Sequence, residues 1–219
     1  AAVILAACVP AVAALLVGAH PAALGLALLT YLAAAALAVT TTARSLPLAR
    51  VGPCNLVTLI RLLLTSALIA PLVAPGTTAA ILAVAVLALV LDGLDGWLAR
   101  RHGDESAFGA RFDMEVDAAF GLVLALNAWR TGNVGPEVLL LGLPRYLFAV
   151  AGRVWPWLTR PLPERFGRKA VCVVQILALI ALQLPLLAGP IATALVLVTL
   201  GALSWSFGRD VLWLREAGR

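Results

Sequence analysis

Four aspartates interrupt an otherwise apolar chain at two regular spacings. Asp92 and Asp95 are three residues apart at the end of one apolar run, and Asp113 and Asp117 are four apart at the start of the next. On a helix, either spacing puts both carboxylates on one face. Charge beside a lipid-like segment is costly and by default indicates function. These four residues are therefore the first candidates for chemistry.

The connection between the two runs, 101–108, is short enough for the helices to run antiparallel, so that the two carboxylate pairs face each other. Carboxylates brought together in a low dielectric repel one another unless cations lie between them. Mg²⁺ takes oxygen ligands and completes its shell with water and substrate phosphates. Two such ions can hold both the attacking and the leaving oxygen of a phosphoryl group. The pattern therefore favours phosphoryl transfer.

Small residues and one arginine accompany the aspartates. Gly96, Ala99 and Gly109 leave room for a ligand to approach the backbone, and the fork of Arg100 matches a phosphate. Taken singly, such small residues equally serve packing between membrane helices. A solvated loop is disfavoured for the carboxylates, because Asp92 and Asp95 directly follow an unbroken apolar run.

The segment from Asp92 to Asp117 resembles the signature of the CDP-alcohol phosphotransferase family, D-x2-D-G-x2-A-R-x8-G-x3-D-x3-D, at all eight fixed positions. A second stretch, from Asn55 to Arg61, resembles the Asn-Leu-x-Thr-x-x-Arg motif that opens the first core helix in many members. The resemblance extends over about 52–215, roughly three quarters of the chain.

The resemblance implies a Mg²⁺- or Mn²⁺-dependent enzyme, with two ions, in which an acceptor hydroxyl attacks the β-phosphorus of a CDP-linked donor. The donor would commonly be CDP-diacylglycerol, and CMP would leave. A homodimer is also implied. Asp117 would act both as a ligand and as the base on the attacking hydroxyl. The expected metal ligands are Asp92, Asp95, Asp113 and Asp117, and the expected CDP-site residues are Gly96, Ala99, Arg100 and Gly109.

Further polar positions allow two interpretations each. Asn55 would either cap a helix beginning at Leu56 or lie near the nucleotide. Thr58 and Arg61 are one turn apart and would face the site, although Arg61 could equally extend to the headgroups. Arg145, inside an apolar run, would bind an acceptor or lipid phosphate, or pair with a carboxylate such as Glu115.

A basic segment between the sixth and seventh apolar runs has two interpretations as well. Arg153, Arg165 and Lys169 would form a pocket for an anionic acceptor such as a polyol phosphate, or would only anchor the chain at the cytoplasmic interface. The residues around Glu115 match neither the phosphatidylglycerophosphate-synthase nor the inositol-phosphate branch, so the acceptor stays open.

The elements that must position these residues are apolar helices. Of the 219 residues, 63% are hydrophobic and 12% charged, whereas soluble domains carry about 25% charged residues. The chain is therefore expected to be an all-α integral membrane protein. Spans of about 20 residues are expected at roughly 1–18, 22–42, 56–74, 78–99, 109–131, 136–155, 169–188 and 190–214.

Basic residues fall on one side of these spans, which predicts an active site facing the cytoplasm. The expected location is a bacterial-type plasma membrane. The predicted organisation is an N-terminal two-helix hairpin, 1–43, added to a six-helix core, 44–219. The expected partners are a CDP-alcohol, an acceptor alcohol and membrane lipids. Nucleic acid is not among them, because the net charge of +5 has no interleaved aromatic pattern.

Three other functions stay open. The first is a transferase that uses a soluble CDP-amino-alcohol as donor and diacylglycerol as acceptor. The second is a cation transporter, since paired intramembrane aspartates also mark ion pathways; the Gly/Ala/Arg spacing speaks against it, because ion coordination does not need it. The third is a catalytically silent relative, which the retention of all four aspartates disfavours.

Overall fold

The computed structural model describes the backbone of residues 2–45, 53–102, 107–160, 162 and 166–216, and side chains over 2–40, 55–94, 109–160, 162 and 167–216. Within these ranges every regular element is helical and no strand occurs, as the sequence predicts. The α-helices are α1 (Ala2–Val17), α2 (Pro21–Ser45), α3 (Pro53–Ala67), α4 (Thr78–His102), α5 (Ala107–Arg130), α6 (Leu139–Gly142), α7 (Pro144–Val154), α8 (Phe166–Ala181) and α9 (Pro190–Glu216).

Helix boundaries follow local chain chemistry. Proline opens α2, α3, α7 and α9, a position where its missing N–H costs nothing and its fixed φ suits the helix. Between α1 and α2 the chain turns at Gly18, whose φ of +71° is strained for any residue with a Cβ. These signals separate the apolar runs into distinct helices.

Three segments of the described chain are long and apolar enough to cross a membrane: Pro21–Thr40, Asn55–Leu72 and Pro190–Glu216. The first and last have 22% and 28% of their best window buried, whereas the middle one, which contains α3, has 61%. Of these three segments, the one that contains α3 is thus the most enclosed by protein. The arrangement of six helices plus two stays a prediction.

The expected single span over 136–155 is wrong, because the chain is broken there into a 3-10 turn, the short α6 and α7. Pro144 causes the break: it has no N–H to donate to the preceding turn, and its ring would clash with the carbonyl four residues earlier. α7 is amphipathic and, at 11 residues, only about 16 Å long. It is too short to cross a bilayer alone.

The chain divides into two compact units, 1–123 and 124–219. In the first, α1 and α2 pack against each other and both pack against α3. Fully buried alanines, among them Ala13 and Ala27, bring the helices close together. Tyr31 is completely buried and its hydroxyl donates to the Ala2 carbonyl at 3.2 Å. The hairpin thus lies directly on the helix that carries Arg61.

The end of α1 is fastened to the turn before α4. The Thr77 N–H donates to the Leu16 carbonyl at 3.1 Å. Gly76 lies so close that a Cβ there would be 3.1 Å from the same carbonyl oxygen and 3.3 Å from Ile81 Cδ1. This contact fixes the position of the end of α1 relative to the start of α4.

In the second unit, side-chain amides satisfy backbone carbonyls. The Gln183 amide donates to the carbonyls of Leu124 and Leu179, each at 2.9 Å, and the Gln175 amide donates to that of Leu141. The Gly189 N–H donates to the Asn133 carbonyl at 3.0 Å. Polar groups that lipid would leave unsatisfied are thereby paired within the unit.

Candidate active site

The site lies in the first unit and is built around a buried cation. Arg61 is on α3, with its side chain only 3% exposed, inside the apolar run 59–64. Apolar neighbours on the same helix, Leu62, Leu63 and Leu64, are all buried. A guanidinium in such surroundings needs anions within reach.

Three aspartates supply those anions from two other helices. Asp92 lies on α4 after its apolar run, and Asp113 and Asp117 lie one turn apart on α5. One carboxylate oxygen from each can be chosen so that all three lie within 4.8 Å of one another. The convergence of the α4 and α5 carboxylates, expected from their spacing, is what the geometry shows for these three.

Arg61 reaches all three carboxylates at once. Its Nη1 is 3.1 Å from Asp92 Oδ1 and also donates to Asp113 Oδ1, while Nη2 donates to Asp117 Oδ1. The two terminal nitrogens therefore lie between the carboxylates of α4 and α5. This planar fork suits several carboxylates in a way that a lysine would not.

Charge and exposure in this cluster are unequal. The single positive charge of Arg61 contacts three carboxylates, so it is smaller than the negative charge that they carry together. The side chains of Asp92, Asp113 and Asp117 are 36%, 34% and 44% exposed, in contrast to Arg61. The three carboxylates are thus partly accessible, so that a soluble ion or nucleotide can reach them.

The donor set fits a hard divalent cation. It consists of carboxylate oxygens from two helices, close together, partly accessible and carrying excess negative charge. Mg²⁺ and Mn²⁺ favour such oxygen ligands together with water and phosphate. Softer donors are lacking in this group, which contains neither histidine nor cysteine.

Other predicted site residues on these helices are placed as follows. Thr58 is 2% exposed and lies one turn before Arg61 on α3. Asn55 is half-buried in the first turn of α3, which begins at Pro53, so the expected cap of a helix starting at Leu56 is wrong. Gly109 is half-buried one turn before Asp113.

Four expected site residues on α4 have a described backbone only. Their helical positions continue from Asp92 toward the end of α4. Their side chains lie outside the described residues, so their predicted roles stay predictions. They are Asp95, Gly96, Ala99 and Arg100.

The predicted acceptor residues other than Arg61 belong to the second unit. Arg145 is half-buried in the first turn of α7, Arg153 is exposed in its last turn, and Lys169 is exposed near the start of α8. Arg165 lies outside the described residues. Glu115, on α5, is exposed, whereas Asp113 and Asp117 are half-buried.

Two groups of ion pairs were not expected from the sequence. The links from Arg61 to the aspartates could have been found, because a lone arginine inside an apolar run normally meets an opposite charge. The second pair joins Arg168 Nη1 on α8 to Asp210 Oδ2 on α9 at 3.3 Å, with Asp210 buried. Its signal was weaker, since both residues lie near helix ends rich in charge.

Comparison with known proteins supplies the remaining observation. The model of the CDP-alcohol phosphatidyltransferase family matches residues 53–205, more than half of the chain, and the match contains α3, α4 and α5 with their site residues. No solved structure matches the chain significantly.

Proposed function

Because the chain belongs to the CDP-alcohol phosphatidyltransferase family, we propose that it transfers a phosphatidyl group from CDP-diacylglycerol to an acceptor hydroxyl and releases CMP. The family consists of phosphotransferase enzymes of phospholipid synthesis that move a phosphatidyl group from a CDP-alcohol. The apolar helices of this chain and its membership in the family identify it as an integral membrane protein.

One observation carries the proposal: carboxylates of α4 and α5 converge within 4.8 Å inside the segment that the family model matches. Phosphoryl transfer needs positioning and neutralisation of charge more than it needs covalent help from the protein. A partly exposed carboxylate cluster beside apolar helices can supply both to a lipid-linked diphosphate.

Asp92, Asp95, Asp113 and Asp117 would hold the divalent cations, Mg²⁺ or Mn²⁺. When bound, such ions neutralise charge on the phosphates and polarise the phosphorus toward attack. The charge of two such ions, +4, equals in size the charge of the four carboxylates proposed as ligands.

Asp117 is proposed as the base. Its carboxylate would take the proton from the acceptor hydroxyl as that oxygen forms a bond to the β-phosphorus of the donor. The bond from this phosphorus to the bridging oxygen would break, and the electron pair would leave with CMP. Of the three described carboxylates, that of Asp117 is the most exposed, which suits contact with an incoming hydroxyl.

The nucleotide would lie along the α3, α4 and α5 surfaces beside the cluster. Thr58 and Gly109 are each one turn from a charged member, Arg61 and Asp113 respectively. The absence of a side chain at Gly109 leaves space for the ligand. The full set proposed for CDP is Asn55, Thr58, Gly96, Ala99, Arg100 and Gly109.

The acceptor is proposed to be an anionic alcohol such as a polyol phosphate. Arg153 and Lys169 are exposed cations in the second unit. Arg61, Arg145 and Arg165 complete the set that we propose for either the acceptor or the lipid phosphate. Guanidinium groups bind phosphate with two parallel hydrogen bonds. Four of these cations follow Asp117, the last aspartate of the signature: Arg145, Arg153, Arg165 and Lys169. The alternative role for them is an anchor at the membrane interface.

Location and organisation follow as further proposals. The basic residues favour a cytoplasmic active site in a bacterial-type plasma membrane. The hairpin 1–43 is proposed as an addition to the core 44–219, and family resemblance favours a homodimer. The family match does not distinguish the alternative donor, a soluble CDP-amino-alcohol, but membership in an enzyme family disfavours a cation transporter.

The test is release of CMP by the purified protein in lipid nanodiscs. CDP-diacylglycerol and Mg²⁺ would be supplied with a panel of alcohols that includes polyol phosphates, polyols and amino alcohols. We expect CMP to form with one acceptor class, to stop with EDTA and to return with Mg²⁺ or Mn²⁺. The product mass would identify the acceptor. No CMP with any acceptor, together with no CDP binding, would refute the proposal.

A further inference from the structure

We propose that Arg61 is an internal counter-ion that competes with divalent cations for the aspartate cluster and, once displaced, binds the phosphates of the donor. This inference rests on the proposed function only for its second half, the contact with donor phosphate. Its first half concerns the protein and the metal alone.

The geometry makes the two occupants compete for the same three carboxylates. Arg61 Nη1 bridges Asp92 Oδ1 and Asp113 Oδ1, and Nη2 takes Asp117 Oδ1. Mg²⁺ held by these carboxylates would need their oxygen atoms at about 2.0–2.1 Å. Nitrogen atoms and a metal ion cannot fill the same space between these oxygens, and their like charges repel.

The charges explain why a replacement is favourable. One guanidinium carries a single positive charge for the three carboxylates that it contacts. A divalent cation neutralises more of the carboxylate charge than one guanidinium does. It can also keep water ligands where the cluster is partly exposed. In the absence of metal, the positive charge of Arg61 reduces the repulsion between the carboxylates, which would otherwise push α4 and α5 apart.

Displacement leaves Arg61 in need of a new anion. Its side chain is 3% exposed on the most enclosed of the three apolar spans. An unpaired guanidinium in such a place is strongly unfavourable. The phosphates of a nucleotide held at the same cluster offer a match for its fork. Metal and donor therefore assist each other's binding through Arg61, as linkage requires.

The experiment is a titration of the purified protein with Mn²⁺, followed by the paramagnetic resonance signal of the free ion, with and without CDP. The variants are Arg61→Gln, which removes the cation, and Arg61→Lys, which keeps the charge but not the fork. We expect Arg61→Gln to bind Mn²⁺ about tenfold or more tightly without nucleotide, since a lost competitor with charged hydrogen bonds is worth that much. Arg61→Lys should be intermediate.

Arg111→Gln is the matched control. Arg111 is exposed on α5, two residues from Asp113, and its loss removes one positive charge without emptying the cluster. We expect less than about a fivefold change in Mn²⁺ affinity, the range of an exposed charge pair. A gain in Arg111→Gln as large as in Arg61→Gln would overturn competition for a shared place.

Thermal denaturation supplies a second measurement. In EDTA, Arg61→Gln should unfold at a lower temperature than the wild type, and Mg²⁺ should remove most of the difference. If Arg61→Gln does not fold without metal, Arg61→Lys must still bind Mn²⁺ more tightly than the wild type. Mn²⁺ affinity that is unchanged or lower in both variants would overturn the proposal.

The donor half has its own outcome. CDP should raise the Mn²⁺ affinity of the wild type more than that of Arg61→Gln, because only the wild type gains a partner for the displaced arginine. An equal gain in both would refute the contact with phosphate. Neither titration requires turnover. If the transferase proposal fails, the protein will not release CMP, but Arg61 and Mn²⁺ will still compete for the aspartate cluster.

Discussion

Asp210 on α9 is 4% exposed, and its Oδ2 lies 3.3 Å from Nη1 of Arg168 on α8. The pair is asymmetric, because the Arg168 side chain is 27% exposed. Loss of either partner therefore has a different consequence.

We expect Arg168→Gln to destabilise the protein more than Asp210→Asn. Removing the arginine leaves a buried, uncompensated carboxylate, and breaking a buried pair costs about 3–5 kcal/mol. The partial exposure of Arg168 places the loss at the lower end of that range, and in Asp210→Asn the arginine can turn outward. Thermal denaturation in one detergent measures both, with the exposed Arg215→Gln on the same helix as control. Equal losses of stability in Arg168→Gln and Asp210→Asn would show that groups other than Arg168 stabilise the Asp210 carboxylate.

Replacement of Asp117 by Asn should abolish CMP release while largely preserving binding of CDP. The amide cannot accept the acceptor proton, and loss of a general base costs about 10²–10⁴-fold in rate. CMP release and CDP binding would be measured on the same preparation. Glu115→Gln, an exposed acid two residues away, should keep its turnover. Unchanged turnover in Asp117→Asn would remove Asp117 from the role of base.

The turn before α4 should not tolerate a side chain at Gly76. A Cβ there would be 3.1 Å from the Leu16 carbonyl oxygen, so Gly76→Ala should push α1 away from α4 and lower the unfolding temperature. Gly25→Ala on α2 meets open space and should be neutral or stabilising, since alanine is the better helix former by about 1 kcal/mol. The opposite order of the two variants would contradict this packing.

Cations in the second unit should affect the acceptor and not the donor. Arg153→Gln and Lys169→Gln are expected to raise the KM for an anionic acceptor several-fold, because each removes a charge that attracts phosphate. The KM for CDP-diacylglycerol should stay unchanged. Arg130→Gln, at the far end of α5 from Asp113, is the control. Unchanged acceptor KM in both variants would leave these residues as membrane anchors only.

Sequence periodicity predicted the centre of the site because the relevant spacings are local. Asp113 and Asp117 are one turn apart on a helix that forms where the sequence places it, and a short connection brings Asp92 near them. Local helical geometry is enough to derive that much.

Contacts between distant helices were not predictable in the same way. The Arg61 side chain could have extended to the headgroups, and only the packing of α3 directs it to the carboxylates. Arg168 and Asp210 are likewise 42 residues apart. The break at Pro144 can be predicted from the sequence, because proline ends or kinks a helix. The apolar composition of 136–155 alone predicts a single span.

Gln175 on α8 and Gln183 just beyond its end give that helix two fixed reference points. Their amides donate to the carbonyls of Leu141 and Leu124. A slip of α8 by one residue would move each donor by about 1.5 Å and rotate it by about 100°, and lipid offers no substitute acceptor. The two glutamines therefore set the register of α8 within the second unit, because only one register lets both amides reach the Leu141 and Leu124 carbonyls.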